Sequence, residues 1–140
     1  MKKFLSVRLN NEKRKANELL VNEFIYCFTE QKPKRLEALL SFQYKYLNGK
    51  TKWELLDYFK TYWNMINEQG IKVEIEYGVS LDYFPGCIAI RIKLIEFRGN
   101  KQFPSRLTLI PTFEGDYLSG LMECKRCAPY WVIERLMRDN

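Results

Sequence analysis

The stretch Ile71-Lys72-Val73-Glu74-Ile75-Glu76-Tyr77-Gly78-Val79 alternates apolar and polar residues with a period of two. Successive side chains of a strand point to opposite faces, so Ile71, Val73, Ile75, Tyr77 and Val79 line one side while Lys72, Glu74 and Glu76 line the other. A strand with one apolar and one charged face belongs to an antiparallel sheet covered on a single side. Three more strands are expected downstream, over about Cys87 to Phe97, Gln102 to Phe113 and Tyr117 to Cys124. Their connections, Arg98-Gly99-Asn100-Lys101 and Phe113-Glu114-Gly115-Asp116, have the composition of tight hairpin turns. Consecutive hairpins make a four-stranded antiparallel meander.

Charge suggests a register, since opposite charges across a ladder help and like charges hurt. Pairing Glu76 with Arg91 also pairs Glu74 with Lys93; centring the later turns on Gly99-Asn100 and Glu114-Gly115 sets Arg106 beside Lys93 and Glu123 beside Arg106. One face then carries the row Glu74, Lys93, Arg106, Glu123, and Ile75, Ile92, Leu107 and Met122 face inward. Ile88 to Leu94 and Ile95 to Phe97 are on opposite phases, which predicts a bulge between them.

Upstream of the sheet the period is helical. Thr51-Lys52-Trp53-Glu54 is a capping box, and it opens a helix that Gly70 closes. Leu55, Leu56, Phe59, Tyr62, Trp63 and Ile66 form its buried stripe. A first helix is expected from about Glu12, capped by Asn11, to Gln31, with Leu20, Phe24, Cys27 and Phe28 on its apolar face. Pro33 suits the first turn of a short second helix carrying Leu36, Leu39 and Leu40. Phe42 to Leu47 is extended and ends in an Asn48-Gly49 turn. Beyond the sheet, Pro129 to Arg138 is expected to form a short C-terminal helix. The whole is an α+β arrangement, read as a basic N-terminal arm over 1–11 followed by one domain over 12–140.

At 140 residues, 46% of them hydrophobic and 15% aromatic, the chain can bury a core without disulfides or metals. Its net charge of +6 is concentrated near the start, in Lys2, Lys3, Arg8, Lys13, Arg14 and Lys15 against Glu12. Such an arm can touch phosphates, and Lys32, Lys34 and Arg35 could extend the patch. No base-stacking aromatics are interleaved with it, however, and a solvated basic terminus is commoner, so nucleic-acid binding ranks last. Arg8 and the run Glu12 to Lys15 interrupt any signal-peptide h-region, and no apolar run reaches the roughly 20 residues of a membrane span. The expectation is a soluble, cytoplasmic protein with no membrane contact.

The four cysteines are Cys27, Cys87, Cys124 and Cys127, and histidine is absent. Cys124-Lys125-Arg126-Cys127 alone lacks the second ligand pair of a zinc site and the βαβ setting of a redox motif. Neither a metal nor a cofactor is implied. Without histidine the commonest general base is missing, and no phosphate loop or serine elbow replaces it.

The order of two helices, an extended piece containing Tyr46-Leu47-Asn48-Gly49-Lys50-Thr51, a third helix and a long meander resembles the nuclear transport factor 2-like superfamily, the cystatin-like α+β cone. The resemblance covers about residues 12–127 and rests on element order and phasing. It implies a curved sheet wrapped round the helices, a cone whose open end can hold a small apolar ligand, and a homodimer through the outer sheet face. The superfamily includes isomerases, dehydratases, polyketide cyclases, immunity proteins and binding modules, and a shared fold does not choose among them.

Candidate pocket residues are Tyr26, Tyr62, Trp63, Asp82 and Tyr83, with Asp57 as a weaker carboxylate. A tyrosine donor and an aspartate base suffice for proton shifts beside a carbonyl. Against this, tyrosines at helix edges usually bury a ring and leave the oxygen wet, and Asp82-Tyr83-Phe84-Pro85-Gly86 is ordinary turn chemistry. No residue is assigned a catalytic role. Binding of a ligand or a protein partner without catalysis is therefore the first expectation, a cone-pocket isomerase, dehydratase or cyclase the second.

Overall fold

The computed structural model describes residues 2–46, 50–84 and 87–123, with side chains described for 13, 15–43, 50–80 and 88–123. The elements run α1 (Lys2–Thr29), α2 (Pro33–Leu39), β1 (Leu40–Tyr46), α3 (Lys52–Glu68), β2 (Lys72–Phe84), β3 (Cys87–Arg98), β4 (Lys101–Glu114) and β5 (Tyr117–Glu123). No proline or glycine lies between Lys2 and Thr29, so nothing stops α1 at Asn11 and the helix continues through the basic segment. The expected C-terminal helix and the Cys124 and Cys127 pair lie outside the described residues.

Both long helices end in the same way. Gln31 at φ 56° lets the Lys32 N–H donate to the Cys27 carbonyl at 2.9 Å; Gly70 at φ 64° lets the Ile71 N–H donate to the Ile66 carbonyl at 2.8 Å. Reciprocal amide bonds between Gln31 and Asn67, 2.8 and 3.2 Å, tie these two ends side by side. The capping box is present: Thr51 Oγ1 accepts from the Glu54 N–H at 3.3 Å, and Glu54 Oε1 accepts from the Thr51 N–H at 3.2 Å.

The sheet has five strands rather than four and is mixed, in the order β1-β5-β4-β3-β2. The extended piece Leu40–Tyr46 is a full strand pairing parallel with β5, through Leu40↔Leu118 and Lys45↔Gly120. A parallel pair needs a long crossover, here everything from α3 to β4, and local alternation cannot reveal a partner so remote.

The β3–β4 register is the expected one, with Lys93 opposite Arg106 and Ile92 opposite Leu107. It is regular through Ile95, so the predicted bulge in β3 is absent. In the hairpins the irregularities fall instead between Ser80 and Phe84 in β2 and at Ser119 of β5, opposite the step from Thr112 to Phe113; the β1–β5 pair has another between Leu40 and Lys45. The first sets Glu76 opposite Lys93 and Gly78 opposite Arg91, where the charge argument had paired Glu76 with Arg91. A slip of two residues keeps every side chain on its face, so charge alone could not distinguish these registers.

The second has a larger effect. Glu114 and Tyr117 flank a two-residue turn with Gly115 at φ 57°, and the bulge then aligns Ile110 with Met122 and Leu109 with Glu123. Glu123 therefore leaves the outer charged row and Met122, 37% exposed, leaves the inner face.

The core lies between the helices and the inner face. Val21, Phe24, Ile25 and Cys27 of α1, Leu36 and Leu39 of α2, and Leu55, Leu56, Trp63 and Ile66 of α3 pack against Ile90, Ile92, Leu109, Leu118 and Leu121. Each such large side chain contributes about 1.5–3 kcal/mol through burial. Cys27 is fully buried and free, its thiol pushed up to about 11 mainly by that burial, and it serves as a small hydrophobe.

Candidate functional site

Between α1, α3 and the inner face the core leaves a cavity of about 290 Å³. Phe24, Ile25 and Phe28 form one wall and Leu55, Tyr58 and Phe59 another; the floor is Ile75, Ile92, Leu94, Leu107, Leu109 and Leu121. Phe59 sits at the centre of an aromatic cluster, 4.9 Å edge-to-face from Phe28 and about 6 Å from Phe24 and Trp63. Rings held in this way make a stiff wall.

Three polar side chains join this apolar lining: Lys50, Tyr58 and Glu123. The Lys50 ammonium stands 4.4 Å from the centroid of the Tyr58 ring, a cation–π distance. Tyr58 is 57% exposed, so this end faces water. Glu123, half-buried, is at the cavity because the bulge at Ser119 of β5 turns it inward.

A smaller cleft of about 100 Å³ lies beside the two tied helix ends, bordered by Gln31, Tyr62, Trp63, Ile66, Asn67 and Ile71 among others. Phe28 and Ile75 border both spaces. Among the described residues the Tyr62 hydroxyl and the Trp63 indole Nε1 are buried without a hydrogen-bond partner. Burial is the main reason that the Tyr62 phenol is pushed up to about 12.

Of the residues read from the sequence, Tyr62 and Trp63 come together at this cleft. Tyr26 lies elsewhere, 43% exposed, with the Arg35 guanidinium 4.6 Å over its ring, and it borders neither space. Arg35 in turn donates to both oxygens of Glu23, linking α2 to α1. Asp57 is exposed and borders neither space. Asp82 and Tyr83 are on strand β2, which runs on to Phe84 instead of ending in a loop; their side chains lie outside the described residues.

Sequence reasoning missed Lys50, Tyr58 and Glu123. Tyr58 had a signal, since it lies three residues after Leu55 and four before Tyr62, at the edge of the buried stripe. Glu123 had none, because its face depends on the bulge. Among the described residues no group of three potential ligands is placed to hold a metal ion, and no helix is long and apolar enough to cross a membrane.

No protein-family model matches this sequence, and no curated protein is similar enough to be counted a relative. Solved structures do share its architecture. A cystatin-fold protein from Novosphingobium aromaticivorans, itself uncharacterised, superposes with a TM-score of 0.57 at 12% identity, covering 76% of this chain and 95% of that one. A proposed polyketide cyclase from Xanthomonas campestris gives 0.57 at 8% identity over 79% and 90% of the two chains. An LEH-like epoxide hydrolase from Mycobacterium tuberculosis gives 0.53 at 7% identity over 74% and 77%. At such identities the likeness shows the fold alone.

Proposed function

We propose that this chain, which has the cystatin-like α+β cone fold, binds a small, largely apolar molecule between its helices and the inner face of its sheet. The cavity of about 290 Å³ carries this reading. It is near the lower end of the usual range for small-molecule pockets, about 300–1,000 Å³, and has their usual make-up of apolar and aromatic walls with few polar groups. Two neighbours in fold, described as a polyketide cyclase and an epoxide hydrolase, support a small-molecule occupant. The test is fluorescence titration with 2-ethylnaphthalene. Saturable binding is expected in the native chain and its loss in Leu94→Phe, which fills the cavity; equal binding by both chains, or by neither, would sink the reading.

A second reading, proton-transfer chemistry in the same cavity, is favoured by one observation: Glu123 brings a carboxylate to an apolar space that also contains the Tyr58 phenol. With a methyl ketone as probe, the carboxylate would take a proton from the carbon beside the carbonyl and return a deuteron from solvent. NMR of 2-acetylnaphthalene in D₂O detects the exchange. Exchange that depends on Glu123, and disappears in Glu123→Gln, would make the protein an enzyme; exchange no faster than in buffer leaves binding alone.

The outer sheet face suits a second copy of the chain, since it presents Lys93 between Glu76 and Arg106 and an exposed Met122 beside Ile110. Light scattering of the native chain and of Lys93→Glu tests a homodimer through that face. The same reading sets the protein in the cytoplasm, where the free thiol of Cys27 stays reduced, and cell fractionation tests that.

A further inference from the structure

The small cleft holds a conflict that the rest of the core avoids. Trp63 is 5% exposed, and its Nε1–H, like the Tyr62 hydroxyl, has no hydrogen-bond partner among the described residues. A buried donor left unpaired is costly, and two on adjacent residues that both line one cleft are a concentrated cost. Both sit on α3, and the Tyr62 ring is held in place by stacking on Phe28, with centroids 6.0 Å apart and planes 16° from parallel.

Their chemistry restricts what can satisfy them. An indole N–H only donates. The phenol keeps its proton well beyond neutral pH, because burial disfavours its anion. Two neutral donors call for an acceptor atom. A carboxylate would also need a compensating cation, but the charges that act on Tyr62 are Glu96 and Arg98, which pair with each other at 3.0 Å. A neutral oxygen fits better.

The cleft adjoins the main cavity, with Phe28 and Ile75 bordering both. We infer that the cavity's ligand extends past Phe28 and carries a neutral carbonyl oxygen, of ketone, ester or amide type, that accepts hydrogen bonds from Tyr62 and Trp63. This rests on the reading of the main cavity as a ligand site. Water is the competing acceptor, since about 100 Å³ has room for more than one molecule.

Two probes of matched shape separate these cases, 2-acetylnaphthalene and 2-ethylnaphthalene, the second lacking the oxygen. The native chain should bind the ketone about tenfold more tightly. Tyr62→Phe keeps the stacked ring and removes only the hydroxyl; it should reduce the ketone's advantage and leave the hydrocarbon's affinity unchanged. In the native chain labelled with ¹⁵N-tryptophan, the Trp63 indole N–H resonance should shift with the ketone and much less with the hydrocarbon. Equal affinities for the two probes would overturn the inference while leaving the main cavity as a binding site. An indole resonance indifferent to the ketone would also overturn it and assign the donors to water. If neither probe binds, both this inference and the cavity reading fail.

Discussion

The Tyr62 phenol illustrates how burial at one residue becomes a property of the whole chain. Its folded value is raised from 10.0 to about 12, so the unfolded chain gives up this proton first as pH rises. Its contribution to stability is then fully present below pH 10 and is lost through the window up to about 12. Cys27, raised from 9.0 to about 11, acts in the same direction over a lower window. Denaturant melts of Tyr62→Phe should therefore lose less stability than the native chain across the upper window, and identical slopes would show that the phenol is wet. Glu23 has the opposite sign. The Arg35 hydrogen bond holds its carboxyl below 4.5, so its support is present above that pH and is lost as pH falls. The pair is largely exposed, which makes the effect small and sensitive to salt. At this scale the sequence was legible only where neighbours are local. Tyr62 and Trp63 followed from a helical stripe, but Tyr26 lies under Arg35 because of the way α2 crosses α1, which no spacing records.

Elements whose causes are local read well. The capping box of α3 has both partners within four residues of sequence, and Thr51→Ala should cost about 1 kcal/mol, measured by urea denaturation. At the other end of α3, Gly70 sits at φ 64° with open space where a Cβ would point. Gly70→Ala should therefore cost about 1 kcal/mol through backbone strain alone, with no steric clash to add to it. A loss several times larger would mean that the helix end is more crowded than the structure shows. What the sequence withheld were long-range pairings. β1 looked like a connecting piece because its partner β5 is more than seventy residues away (40 to 118). The hairpin registers were hidden for another reason: extra residues in β2 and at Ser119 of β5 reset them, and turn position and charge pairing do not count them.

For the molecule as a whole, a space left in the core is stability forgone, because its lining lacks partner atoms on one side. Leu94→Phe should therefore unfold at the same denaturant concentration as the native chain, or a higher one, while probe affinity drops by about tenfold or more. If stability and affinity fell together, the space would be part of a well-fitted core rather than a site. The cone itself was legible from element order, since helices that cover one face of a meander have few ways to arrange themselves. The polar corner of its cavity was not, because it depends on the turn at Gly115 and the bulge beside Thr112. That hairpin also has an evolutionary meaning. Gaining or losing one codon there slides β5 by a single position and turns its side chains over, so that Met122 would replace Glu123 at the cavity and Leu121 would leave its floor. Descendants of this chain can thus change the chemistry of the cavity lining by changing a length, and a comparison that scores only substitutions would overlook it.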